Sequence, residues 1–262
     1  MTRRAMSVGI PMTVAALLAS AACEVDFVPR AEAREEWKKT YSITAGGELG
    51  IENMHGKIVV RPGAGSNVEI IATRIARAGT DEAAKKLLAE APMQESATES
   101  AIRISSNKTG LNWGRQQYRV DYEVRAPAGI TLNLSVSSGE IDVAGWQGRV
   151  KMNATNGTVD GSGLAGEVEA SATNGKITLR LAQLTERGVK VETTNGEISI
   201  EVPKDVKGRI VARVTNGEIS VDGLNAEPSP ANTRRRYEAA LNGGGPTLSI
   251  ETTNGAISVR GS

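Results

Sequence analysis

The chain has 262 residues, enough for one large domain or two small ones and for a substantial core. Aromatic residues make up only 3% while 29 residues are glycine, which favours thin, repetitive β structure over a core built on large rings. Lys plus Arg number 31 and Asp plus Glu 30, so no long-range field selects nucleic acid or an anionic membrane as the main partner; one Cys and one His exclude an intrachain disulfide and a Cys/His metal site.

At the start, Arg3 and Arg4 precede an apolar run from Ala5 to Leu18 and small residues from Ala19 to Ala22, the pattern of a cleavable secretory signal over 1–22. The run is too short for a comfortable membrane span. Cys23 comes directly after it and is the lipidation candidate. A lipoprotein box usually carries Leu three residues before the cysteine, where this chain has Ser20, so plain cleavage nearby stays open. Without 1–22 the chain keeps 29 basic and 30 acidic residues, a net charge of about −1. The expected address is therefore exported, periplasmic or outer cell envelope, with residues 23–35 as a tether and 36–262 as a single β-repeat domain.

Inside that domain a short unit recurs with glycine as its phase marker: Gly56, Gly139, Gly157, Gly175, Gly196, Gly217 and Gly255. After the first long interval the spacings are 18, 18, 21, 21 and 38 residues. Five copies read Thr-Asn-Gly, which makes Asn156 with Gly157, Asn174 with Gly175, Asn195 with Gly196, Asn216 with Gly217 and Asn254 with Gly255 the repeat corners. Two residues after each glycine stands Ile or Val, and five and seven before it stand aliphatic residues, with polar residues between. This period of two belongs to strands with one buried face. A single copy buries too little to fold alone, whereas stacked copies bury a continuous core.

Two architectures satisfy the alternation. In a β-solenoid of about 18–21-residue coils, Thr-Asn-Gly is a corner and aligned Asn and Thr form ladders about 4.8 Å apart. In the alternative, an antiparallel hairpin-built β-sandwich, Asn-Gly is a type I′ turn. The solenoid is the favoured expectation, with Gly148, Gly166, Gly188 and Gly208 at the opposite corner and length variation falling there.

The first interval holds an excursion from Arg61 to Ile130, with an insertion at about 78–98. Thr80 followed by Asp81 and Glu-Ala-Ala-Lys-Lys-Leu-Leu-Ala-Glu predicts a capped amphipathic helix of about three turns, packed on the early coils at one end of the stack. Strands are expected at Ala101–Ser105 and Gln116–Val124. A second insertion at about 225–246, containing Pro228-Ser229-Pro230 and Arg234-Arg235-Arg236, predicts a surface loop.

Three stretches carry a family likeness: Leu49 to Val60 (LGIENMHGKIVV) with the alternating strand from Val68 to Ala76, Ala126 to Gly129 leading into the repeats, and the closing GGGPTLSIETTNGAISVRGS. The chain resembles the bacterial β-strand-repeat family of unknown function often labelled adhesin-like, over roughly residues 36 to 262. The resemblance implies a β-solenoid-like stack in an envelope protein, and it brings no catalytic residues.

Candidate chemistry is sparse. His55 fills a corner slot and lacks partners for a ligand or base role. Gly161 to Gly166 spells GxGxxG, but no helix follows to bind a phosphate. In-register stacking sets Asp142 over Asp160, with Glu140 close by, and Glu197 over Glu218, like charges that must be solvated, offset or bridged. Arg234, Arg235 and Arg236 offer an anion-docking loop.

The reading is a non-enzymatic envelope β-repeat module, adhesin-like, binding or scaffolding a protein or glycan partner, with no cofactor, metal or nucleic acid. Membrane attachment would run through lipid on Cys23. The alternatives are a carbohydrate-active β-helix enzyme using the Asp142 and Asp160 face, and a surface protein that self-associates through an open terminal coil.

Overall fold

The computed structural model describes residues 31–106 and 117–262. The expected signal over 1–22, Cys23 and the tether as far as residue 30 lie outside the described residues. The described chain opens with β1 (Ala31–Ser42), β2 (Glu48–Pro62), β3 (Asn67–Ala78) and the helix α1 (Asp81–Glu90), followed by β4 (Gln94–Ala97), β5 (Ala101–Ser105) and β6 (Gln117–Ala126). β7 (Thr131–Ala144) and β8 (Val150–Leu164) run through their corner glycines as long bent strands. Later units divide at the corner into β9 (Val168–Asn174) and β10 (Ile177–Leu181), β11 (Val189–Asn195) and β12 (Ile198–Val202), and β13 (Gly208–Asn216) and β14 (Ile219–Asp222). β15 (Ala226–Pro228) and β16 (Arg236–Leu241) precede the closing pair, β17 (Thr247–Asn254) and β18 (Ile257–Gly261).

Each unit thus has a first arm before the corner and a second arm after it, and like arms pair in parallel. Leu134 lies beside Met152, Met152 beside Ala170, and Ala170 beside Val191; past the corner, Ile141 lies beside Val159, Val159 beside Ile177, and Ile177 beside Ile198. A hairpin would pair the two arms of one unit in antiparallel fashion. The chain is therefore a β-solenoid, and the hairpin-built sandwich is not what forms.

The inward columns alternate with polar residues, as period two requires, and are buried except in β14, where Ile219 and Val221 are half-buried. Each fully buried aliphatic side chain contributes roughly 1.5 to 3 kcal/mol. Ala154, Ala170, Ala172 and Ala212 keep the interior thin, so the arms approach closely with few aromatic rings. Trp146 and Tyr122 are fully buried exceptions, and Trp146 donates its indole N–H to the Ile130 carbonyl at 2.9 Å.

The spatial order of the levels departs from chain order at both ends. Residues of β5 pair in parallel with the first arm of β2, and residues of β6 with its second arm, so β5 and β6 form an end level within what the sequence suggested was an excursion. At the other end β17 lies between β11 and β13, and β18 between β12 and β14. The last unit in the chain fills a slot between the two units before it. Both of its arms have neighbours on both sides, so the open edge expected at the closing unit lies instead at β14 of the unit before it.

The first end is closed in depth. β3 runs antiparallel to β6, β1 antiparallel to β3, and β4 antiparallel to β5. α1 packs on β1 and β3, capped by Thr80, whose Oγ1 accepts from the Ala83 N–H at 3.2 Å. The buried Arg74 guanidinium reaches the carbonyls of Leu88 and Ala91 at the helix C-terminus, where a cation is favoured, and pairs with Glu35 at 2.8 Å. Tyr41 Oη donates to Glu95 at 2.6 Å, joining β1 to β4 across the mouth of the stack.

Two expected boundaries change. Residues 31–35 belong to β1 rather than a tether, because Ala33 pairs with Ala76 and Glu35 with Arg74. The 225–246 segment is not only a loop: β16 runs antiparallel to β13 and seals that arm, with β15 beside it.

Candidate ligand-binding surface

The corners line up into one edge of the molecule. Asn156, Asn174, Asn195, Asn254 and Asn216 stand exposed in that spatial order, each joined to the next by its side-chain amide. Asn174 donates to Asn156 at 2.9 Å, Asn195 to Asn174 at 2.9 Å, Asn254 to Asn195 at 2.8 Å, and Asn216 to Asn254 at 2.9 Å. An interior rung spends one N–H and one oxygen lone pair on its neighbours, leaving a second N–H and lone pair for a ligand.

Glycine follows each Asn because the levels touch there. A Cβ on Gly157 would fall well inside contact distance of the Gly139 carbonyl oxygen, and one on Gly175 would meet the Gly157 carbonyl in the same way. Gly157 also has φ 152°, which side chains rarely adopt.

One residue before each Asn, Thr155, Thr173, Thr194, Thr253 and Thr215 form a second exposed row, spaced by the level repeat of about 4.8 Å. Beside it Ser171 donates to Asn153 at 2.7 Å. A shallow trough of about 350 Å³ runs along this face, lined by Ser171, Thr173, Glu192, Thr194, Glu251 and Thr253. The edge can present hydroxyls and carboxamides at fixed spacing, a pattern suited to a polyhydroxylated or peptide-like ligand and supplying no nucleophile with an adjacent base.

The sequence did not reveal a polar cleft of about 420 Å³ at the first end, with Glu48, Glu95, Arg103 and Asn133 among its walls. Its floor is Gly50, at a position where the next levels carry Asn133 and Lys151. That missing side chain was visible in the aligned copies, and β5 was expected as a strand, but with no corner glycine to set its phase nothing local placed it, or β4, beside Gly50.

Asp142 and Asp160 are register partners, as the sequence suggested. Arg61 holds Asp142 through two contacts, Nη1 to Oδ1 at 3.0 Å and Nη2 to Oδ2 at 2.6 Å, and Lys57 pairs with Glu140 at 2.7 Å. Burial, then the Glu140 charge, push the Asp160 carboxyl above the usual range; its bond with Thr178 works the other way. Asp142 is thus tied into an ion pair rather than free to act on a substrate beside Asp160. Glu197 does not lie over Glu218: the inserted last unit places Ala256 between them, which doubles their separation and weakens the repulsion.

The three arginines separate. Arg234 and Arg235 are exposed in the turn between Thr233 and Arg236, while Arg236 lies in β16 and pairs with Glu238, which also takes Arg209 at 2.8 Å. His55 is exposed at the first corner beside Ser138. The Gly161 to Gly166 stretch ends β8 and turns the opposite corner into β9, with Gly166 against Gly148.

The family model described as Toastrack DUF4097 matches residues 119–260. No curated protein matches the chain. Among solved structures, a provisionally assigned cell adhesion protein from Clostridium sporogenes is similar with 14% identity and a TM-score of 0.44, over 87% of this chain and 100% of that one. A provisionally assigned adhesin from Bacteroides fragilis is similar at 11% identity and TM-score 0.31, and one from Parabacteroides distasonis at 9% and 0.28; each comparison covers 87% of this chain and 97% of the other.

Proposed function

The chain belongs to the Toastrack DUF4097 family, and from that premise we propose that it is a non-enzymatic, adhesin-like module that binds a protein or glycan partner along its Asn and Thr edge. The observation that carries this reading is the amide ladder from Asn156 to Asn216, with Thr155 to Thr215 beside it. Side chains tied to one another lose little further freedom on binding, so a modest set of contacts is not offset by ordering costs. A rigid repeat also offers the same contact at each level, which suits an extended partner that repeats its own groups.

The same reading places the protein outside the cytoplasm. It rests on the apolar run and small residues over 1–22, with Cys23 as the lipid site that would hold the solenoid at a membrane surface.

The test is a glycan-array screen and a polysaccharide-depolymerisation assay on the purified mature chain. Binding without product is expected, and replacing Thr173 and Thr194 together by Val should weaken it about tenfold, since two hydroxyl contacts are lost without changing shape. Binding indifferent to the Thr row would remove this edge as the site. Product formation abolished by Asp142→Asn with Asp160→Asn would replace the reading with a carbohydrate-cleaving one.

A further inference from the structure

The two ends of the stack are closed unequally. β1, β3, β4 and α1 cover the first end, whereas at the second end β16 covers β13 and no described strand pairs with the outer side of β14. The backbone shows what is missing. In each interior level the corner glycine and the Ile two residues on donate their N–H groups to the next level: Gly196 to Asn254 at 2.9 Å and Ile198 to Ala256 at 2.9 Å, then Gly255 to Asn216 and Ile257 to Glu218, both at 3.0 Å. The equivalent groups of Gly217 and Ile219, and by strand alternation of Val221, point out of the stack where no level follows.

The side chains repeat the message. Ile257 and Val259 are buried at 1% and 0% exposure, while Ile219 and Val221, in the same columns, are only half-buried, as is Leu224 just beyond them. Because β16 already occupies the first arm, what fits is one strand rather than a whole coil. Glu218 and Asp222 flank that edge on its solvent side, and Asp222 is engaged by Ser220 rather than by a cation among the described residues.

We propose that β14 is a docking edge for one extended strand of a partner polypeptide, with apolar residues at alternate positions over Ile219 and Val221 and lysine or arginine between them facing Glu218 and Asp222. Main-chain bonds to the three open N–H groups supply affinity, and the alternating side chains supply selectivity. A second copy of this chain offering its own β14 would bring another Glu218 and Asp222 to an edge that already carries both, so charge favours a basic partner. This edge lies on the end of the stack and is independent of the Asn and Thr edge.

The test uses a capped synthetic peptide of about eight residues alternating Val and Lys, and a control with Glu replacing Lys. The Lys peptide should bind the mature chain about tenfold tighter than the Glu peptide and slow hydrogen exchange at the Ile219 and Val221 amides. Glu218→Lys with Asp222→Lys should reverse the preference; Glu218→Gln with Asp222→Asn should erase it and serves if the first variant misfolds. Equal binding of both peptides, no protection of those amides, or a peptide-free dimer in sedimentation that already protects them would overturn the proposal.

Discussion

A methyl group is enough to break the corner of this solenoid. The Gly139 carbonyl lies where a Cβ on Gly157 would go, and the atoms that would have to move are backbone atoms in two levels at once. Gly157→Ala should cost about 3 kcal/mol, read as a lower urea midpoint in chemical denaturation, whereas Thr155→Ala at the exposed neighbouring position should change it little. Asp160 tests the opposite sign. Its carboxyl is pushed above the ordinary aspartate value of 3.8, mainly by burial and then by Glu140, so the folded protein holds the proton more tightly than the unfolded chain. The ionised group therefore costs stability at pH values above its folded pKa, and the cost fades as pH falls through that value toward 3.8. Asp160→Asn should stabilise the fold at pH 7 by less than about 1 kcal/mol, given its exposure, read as a higher urea midpoint, and the gain should vanish near pH 3. The corner residues and inward columns were legible because steric contact and burial act on single positions at a fixed spacing. The bond from Arg61 to Asp142 was not, since the two are 81 residues apart and nothing local marks the pair.

At the scale of elements, the last unit carries more than its share of the fold. β17 and β18 separate the levels on either side, and they supply Asn254, which joins Asn195 to Asn216 in the ladder. Removing residues 247–262 would strip β11 to β14 of a neighbour on each arm and expose two aliphatic columns, Leu248 and Ile250 having packed between them. The truncated chain should lose its single cooperative unfolding transition and bind a hydrophobic dye; retention of one sharp transition would mean that β13 and β14 can close the gap themselves. Local sequence did not reveal this insertion because all five copies from Gly157 onward carry the same Thr-Asn-Gly corner, and identical edges do not encode which neighbour each prefers. The 38-residue interval was the trace it left: two periods of chain spent on β15, β16 and the return path. The β5 and β6 level was hidden differently. It has the alternation, with Ile102, Ile104, Tyr122 and Val124 buried, but no corner glycine to set its phase.

For the whole molecule, the order of levels decides what surface is presented. With the last unit inside the stack, the Asn ladder is continuous from Asn156 to Asn216 and β14 becomes the exposed edge; with levels in chain order, the closing unit would be the edge and Glu197 would sit over Glu218. Strands with one buried face were readable from periodicity, but that pattern fitted a hairpin-built sandwich as well as a solenoid; the parallel pairing and the order of levels depend on contacts between remote copies. Both the binding edge and the docking strand rest on that order.

Paired cysteines decide it, because a disulfide forms only when Cα atoms lie within roughly 7 Å, which admits neighbouring levels and rejects levels two apart. In a Cys23→Ser background, Ser199→Cys with Ser258→Cys and Ser258→Cys with Ser220→Cys should each oxidise readily, since these residues are register partners. Ser199→Cys with Ser220→Cys should stay reduced within the monomer. Ready oxidation of that third pair would put the levels in chain order and contradict the account.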